Sequence, residues 1–410
     1  MDVTHERVAG IDISKRDAKV CVRVPGARAG TFSKTVTTYG AVTAEVERLR
    51  DDLEAAAVEV VVMEATGDYW KPFFFVLAET LNVQLVNAKH ARGIPGRKTD
   101  VNDAQWLAEL AAHGLLRGSF VPPEPVRELR DLTRTRAHLV GEVRREWARL
   151  EKNLEDAGIK ISSVISSLGT LSARTILQAL VDGERDPEAL AALAHTSLVR
   201  KHDQLVEALR GRFRDHHAFM VDLHLNRIAA AEASIARIEE RVEQVMSPFR
   251  DARDALTTIP GISTRVANVI IAEIGPDMTV FPTAGHLASW AGVCPGQNES
   301  AGHVTSSHTR PGNAYLKAAL GIAALSIGQM KRPNHLTAKY RRIAARQGRR
   351  RALVALEHTL LVIVWNMLTA GVAYTEHGPD HGLRHDPARD IRRHIRALES
   401  HGLKVELTPA

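Results

Sequence analysis

The sequence predicts an α/β domain followed by a longer, mainly helical region, and three observations carry that reading. In the first hundred residues short β-branched runs alternate with stretches of helical apolar spacing. After Pro122-Pro123 apolar residues recur at three- and four-residue steps as far as Val242. From Leu256 onward glycine and proline return. A chain of 410 residues has length for two or three domains, each with its own core. The expected divisions are 1–122 (α/β), 123–250 (helical spacer), 251–375 (a mainly helical domain) and 376–410 (a basic tail, loosely ordered).

Taken in order, residues 8–12 form a short apolar run and 19–24 follow after a polar turn, as in a hairpin. Residues 31–38 are β-branched and read as a third strand, 41–57 as a helix, and 58–63 (VEVVVM) as a buried strand. A helix over 69–81, a strand over 83–87 and the helix that starts in KTDVNDA complete the order βββαβαβα, that of an RNase H-like domain with a mixed sheet. In the spacer, Leu129, Leu132, Leu139, Val143, Leu150 and Leu154 make one stripe, interrupted by Arg136 and Trp147. A second runs through Leu205, Leu209, Phe213 and Met220 to Ile228, Ile235, Ile238 and Val242. Two such stripes predict a coiled coil, antiparallel or between chains, or equally a helical bundle within one chain. Residues 256–275 (LTTIPGISTRVANVIIAEIG) have the pattern of a helix-hairpin-helix, or of an ordinary αα-hairpin.

Composition narrows the function. Hydrophobic content of 44% with 25% charged residues excludes wholesale disorder. Cys21 and Cys294 are too few for a disulfide framework or a cysteine zinc site, which fits a reducing, cytoplasmic setting. The N-terminus has charges where a signal peptide needs an apolar stretch. The apolar run 359–373 falls short of the ~20 residues that span a bilayer and contains Asn366, so a buried helix is expected and no membrane partner. A net charge of +6 admits nucleic acid as a partner. Its distribution says more: residues 331–351 hold nine Lys or Arg and no acid, which favours phosphate contact over a solvated helix face.

Four carboxylates stand out. Asp12 ends the first strand in GIDISK, Glu64 closes the VVVM strand, and Asp100 and Asp103 lie in KTDVNDA at a helix start, three residues apart and so on one helical face. Clustered carboxylates repel unless a divalent cation neutralises them, and hard oxygen ligands select Mg²⁺ or Mn²⁺. Two such ions about 4 Å apart activate an attacking oxygen and stabilise a leaving oxygen at one phosphorus. Lys89, His90, Arg92, Arg97 and Lys98, just before Asp100, are placed to hold a DNA backbone or to form an exposed basic loop. Downstream, Ser300 stands in a Gly-, Asn- and Ser-rich loop, followed by His303, His308 and Arg310 and by a helix that begins near Asn313 and carries Lys317. A hydroxyl there can attack a phosphodiester if its proton is accepted and cations hold the phosphate. Ser306 and Ser307 are equal candidates on composition alone.

The segments GIDISK, MEATGDYW and GRKTDVNDA, a helical spacer, then LTTIPGIS, LASWAGVCPGQNESAGH and HTRPGNAYLKAAL resemble the DEDD transposases of insertion-sequence family 110 over roughly residues 7–330. The resemblance implies a RuvC-like domain, a coiled-coil spacer and a C-terminal transposase domain with a catalytic serine. It assigns the metal-binding DEDD set to Asp12, Glu64, Asp100 and Asp103 and the nucleophile to Ser300. The family's Ser-Gly-Gly stands here as Ser300-Ala301-Gly302, which keeps the serine and removes one flexible glycine. It further implies recombination of donor and target DNA through a circular intermediate, guided by a noncoding bridge RNA. The implied assembly is a dimer or tetramer in which one subunit's serine meets another's metals, in a prokaryotic, nucleoid-associated setting. Basic residues Arg341, Arg342, Arg346, Arg349, Arg350 and Arg351 then read as backbone contacts. Two competing readings are a Holliday-junction resolvase that uses the same four acids without the serine, and a catalytically idle nucleic-acid-binding protein.

Overall fold

The computed structural model describes residues 3–28, 30–65, 67–87, 103–296, 298–300, 303–306, 308–379 and 387–407. The chain divides into two compact units, 1–121 and 122–410.

The first unit is built on five strands. β1 (Val8–Ile13), β2 (Asp17–Pro25) and β3 (Phe32–Gly40) run antiparallel in sequence, while β4 (Val60–Glu64) lies parallel to β1 and β5 (Val83–Val86) parallel to β4. The sheet order is β3-β2-β1-β4-β5, the mixed sheet expected from the sequence. Its two faces are covered differently. Ile11, Val61 and Met63 point to one face, packing with Val46, Leu49 and Leu53 of helix α1 (Thr43–Ala55) and Phe73 and Leu77 of α2 (Trp70–Leu77). Val8, Val60 and Val62 point to the other, against Ala104, Leu107, Ala108 and Ala111 of α3 (Asp103–Ala112). Gly10 lets α3 come down onto β1: a Cβ there would lie 2.2 Å from the Ala104 carbonyl oxygen and 2.4 Å from the Ala108 nitrogen.

The second unit opens with α4 (Glu124–Asp156), which pairs along its length with α8 (Asp215–Val245). Side-chain links fix their direction as antiparallel: Arg136 Nε donates to Glu239 at 2.9 Å, His224 Nδ1 lies 2.7 Å from Glu146, and His217 Nε2 lies 3.0 Å from Asp156. The interruptions in the first stripe thus have partners, for Trp147 also packs on the core beneath the Arg174 guanidinium. Between the two helices, α5 (Leu171–Val181), α6 (Pro187–Ala192) and α7 (His202–Leu209) enclose a core with Ile159, Ile161, Ile176, Leu177 and Leu205. The second stripe is therefore broken: Leu205 and Leu209 belong to α7 and Met220 to α8. The break occurs where Arg212 N–H donates to the Ala157 carbonyl at 2.7 Å, and Gly211 passes so close that a Cβ would sit 2.5 Å from that oxygen.

Helices α9 (Arg250–Thr257) and α10 (Thr264–Ile274) form the hairpin expected over 256–275, turning at Gly261, whose φ is +86°. After α11 (Ala284–Ala291) comes a ribbon, β6 (Asn298–Ser300) and β7 (His303–Ser306), then α12 (Ala314–Gln329), α13 (His335–Gln347) and α14 (Arg349–Ala370). α14 is long and apolar enough to cross a bilayer by length and composition, yet Leu356, Leu360, Leu361 and Val364 are buried and the helix packs on α11 and α12. The buried helix expected over 359–373 is met as far as Ala370, while 371–373 lie beyond the helix and are exposed. The tail, expected to be loosely ordered, contains α15 (Pro387–Ser400), with Ile391 and Leu398, two turns apart on one face, exposed.

Candidate active site: acidic strand ends and a serine hairpin

The sheet's register brings two of the four acids together. Ile11 pairs with Met63 across the parallel β1–β4 ladder, and Asp12 and Glu64 are the next residues on those neighbouring strands. Strands lie about 4.8 Å apart and side chains alternate faces, so both carboxylates share the face of Val8, Val60 and Val62. That face is crossed by α3, whose first residue is Asp103. All three acids are half-buried. On the other side of β1, Lys19 pairs directly with Asp12 and brings a cation to the same edge. Asp100 lies outside the described residues, as do Lys89, His90, Arg92, Arg97 and Lys98. Among the described residues no group of three or more His, Cys, Asp or Glu side chains gathers as a metal site does. What the strands bring side by side is the pair Asp12 and Glu64, whose carboxylates are hard oxygen donors of the kind that suits Mg²⁺ or Mn²⁺.

Ser300 lies in an ordered ribbon rather than the open loop its composition suggests. It ends β6 and pairs with His303 of β7; Ala301, Gly302 and Ser307 lie outside the described residues. Below the strands the ribbon continues through a Pro295–Thr309 bridge and a Gly296 N–H donating to the His308 carbonyl at 2.8 Å. Its root is tight: a Cβ on Gly312 would lie 2.4 Å from the Gly292 nitrogen, and Gly292 has φ +74°. Ser306 Oγ accepts from the His308 N–H at 3.2 Å, a turn-forming role. His308 and Arg310 are exposed. Lys317 is not: half-buried, its ammonium donates to the Gly292 carbonyl at 3.2 Å and to Thr309 Oγ1 at 3.0 Å, so it braces this root.

Arg341, Arg342, Arg346, Arg349, Arg350 and Arg351 are all exposed. Three of them open α14, where the positive end of the helix dipole makes cations unfavourable and an anion welcome. Burial, together with Arg342, also holds the Lys339 ammonium below the usual lysine range.

Sequence reasoning missed the residues that join α4 to this region. Glu273 of α10 is fully buried and receives two hydrogen bonds from Arg134, each 2.8 Å, and one of 2.6 Å from Asn313 Nδ2. Arg130 donates to the Ala272 and Glu273 carbonyls at 3.1 and 2.6 Å. The one available signal was an acid in an otherwise apolar helix, ANVIIAEIG.

A mixed α/β unit followed by a longer, mainly helical unit defines only a broad class of protein. Comparison with known proteins specifies it. The DEDD transposase model of IS110 matches residues 9–159, and the model described as "Transposase IS116/IS110/IS902 family" matches residues 253–341. The chain is 24% identical over 385 residues to the transposase for insertion sequence element IS1111A of Coxiella burnetii, covering 90% of this chain and 91% of that protein. It is 27% identical over 311 residues to an uncharacterized 43.6 kDa protein of insertion element IS110 from Streptomyces coelicolor, covering 70% and 74%. A 42 kDa protein of insertion element IS900 from Mycobacterium paratuberculosis is 25% identical over 300 residues, covering 68% and 73%. The chain belongs to the IS110/IS116/IS902 family of transposases.

Proposed function

We propose that this transposase cuts and rejoins DNA through a serine nucleophile, Ser300, assisted by a divalent-metal site at Asp12, Glu64, Asp100 and Asp103. The observation that carries the reading is the placing of Asp12 and Glu64 on neighbouring strand ends beneath the start of α3. The sheet order β3-β2-β1-β4-β5 supports an RNase H/RuvC-like domain over 1–122, followed by a spacer over 123–250, a transposase domain over 251–375 and a tail over 376–410. A bound Mg²⁺ or Mn²⁺ would neutralise charge at the phosphate. In the chain's own chemistry, the Ser300 hydroxyl gives up its proton and its oxygen bonds to phosphorus. The scissile P–O bond breaks, and the leaving oxygen takes up a proton in place of the one the serine gave up, so that one DNA end departs as a free hydroxyl. Attack of a hydroxyl on the phosphoserine reverses the exchange, so strands rejoin without ATP. His308, Arg310, Arg341, Arg342, Arg346, Arg349, Arg350 and Arg351 contact the phosphate backbone, with Lys317 acting from the ribbon's root. Sequence choice then rests on a noncoding bridge RNA paired to donor and target DNA, within a homo-oligomer.

Ser300→Ala tests the reading. It is expected to abolish both the covalent protein–DNA adduct and recombined products; cleavage that continues unchanged would instead support a resolvase using the acids alone. Sequencing the RNA that copurifies tests the guide, and finding no specific structured species would count against it.

A further inference from the structure

We propose that Glu273 is a positioning residue for the Ser300 nucleophile, tying the root of the β6–β7 ribbon to the spacer helix α4. The inference rests on the reading of Ser300 given above and adds residues that reading does not use.

Burying a carboxylate is costly, and a buried ion pair seldom improves on well-packed apolar side chains. Glu273 nevertheless has no exposed surface, and its donors come from two directions. From α4 come Arg134, donating through Nε and Nη2 at 2.8 Å each, and the charge of Arg130, an ion pair at 3.4 Å. From the ribbon side comes Asn313 Nδ2 at 2.6 Å. Asn313 is the N-cap of α12, its Oδ1 accepting from the Tyr315 and Leu316 N–H groups at 3.1 and 3.0 Å. One side chain thus caps the helix with its oxygen and reaches Glu273 with its nitrogen. The connection is repeated one turn along: the Tyr315 hydroxyl lies 2.8 Å from His138 Nε2, and the Arg134 guanidinium lies 4.6 Å from the Tyr315 ring centroid. Arg130, Arg134 and His138 are spaced i, i+4, i+8, a single face of α4. Asn313 directly follows Gly312, whose backbone lies so close to Gly292 that a Cβ would not fit. The path from α4 to Ser300 therefore runs through Glu273, Asn313, the Gly292–Gly312 contact and the short ribbon.

Asn313→Ser separates this role from plain helix capping, because serine keeps a cap oxygen and lacks the amide donor. With full-length protein, its copurifying nucleic acid and element-end DNA, three quantities are read: melting temperature, DNA concentration at half-saturation, and rate of adduct formation at saturation. Asn313→Ser and Glu273→Gln should lower the saturated rate by about ten- to a hundredfold, the cost of a small misplacement at a reacting centre, and leave half-saturation within about twofold. Asn313→Ser should melt somewhat below the parent, since the buried carboxylate loses one donor, yet stay fully folded at the assay temperature. If Asn313→Ser forms adduct at the parent rate while Ser300→Ala forms none, the positioning role is overturned and the nucleophile stands. A rate loss in Asn313→Ser that only follows partial unfolding at the assay temperature overturns it as well. Adduct persisting in Ser300→Ala overturns the nucleophile and the positioning role together.

Discussion

Gly10 sets the distance between the sheet and the helix that carries Asp103. Gly10→Ala would drive a methyl group into the α3 backbone, not into a side chain able to swing away. The expected destabilisation is about 3 kcal/mol, at the upper end of overpacking costs, read from chemical denaturation of the intact protein. A protein as stable as the parent would mean that α3 can ride further from β1. Asp12→Asn and Glu64→Gln keep shape and remove charge. Each is expected to lower strand cleavage by about a hundredfold or more while nucleic-acid binding persists, since several kcal/mol of charge stabilisation disappears. Parent-like cleavage rates would remove these acids from the chemistry. Their place at neighbouring strand ends is legible in the sequence, because Asp12 follows a short apolar run and Glu64 closes a β-branched one. Glu273 is not. Its partners lie 139 and 40 positions away, and no local pattern links them.

At the scale of elements, α12 and α14 meet around an acid. Glu357 is buried on α14, with Oε1 3.5 Å from where a Cβ on Gly321 of α12 would stand, and Oε2 has no hydrogen-bond partner among the described residues. Burial raises its carboxyl above the usual range, although Lys317 pulls the other way. A raised folded-state value means that the folded protein holds this proton more tightly than the unfolded chain. Stability from this group is therefore full below the unfolded value and lost as pH rises through the folded one. Glu357→Gln is accordingly expected to stabilise at neutral pH by about 1 kcal/mol, with the gain disappearing in acid. Denaturation curves at several pH values check it, and a destabilised variant at neutral pH would contradict it. α13 and α14 carry the exposed arginines. Replacing Arg349, Arg350 and Arg351 with Gln should weaken binding to all sequences alike and reduce the salt slope by about one for each phosphate no longer neutralised. A change in sequence preference at constant salt slope would argue against backbone contact.

Elements are readable to different degrees for physical reasons. The strands of the first unit stand within two residues of their expected bounds, since period-two alternation and β-branched content act locally. The long spacer stripe misleads at residues 210–214, because periodicity continues across a break that only tertiary packing at Ala157 requires. The ribbon holding Ser300 reads as a loop in the sequence, for its Gly and Asn content masks a pairing fixed by Gly292 and Gly312.

At the scale of the whole molecule, the mixed sheet, the spacer and the basic helical unit follow one another in the order of the family's two matched segments, residues 9–159 and 253–341. In the proposed chemistry this transposase stores a DNA phosphodiester on its own serine. The most direct measurement is peptide mapping by mass spectrometry of a reaction stopped during strand exchange. The account predicts a nucleotide phosphate on the peptide containing Ser300 and none on that peptide from Ser300→Ala. Recombined DNA formed with no protein-linked intermediate, or with the link on another residue, would contradict it.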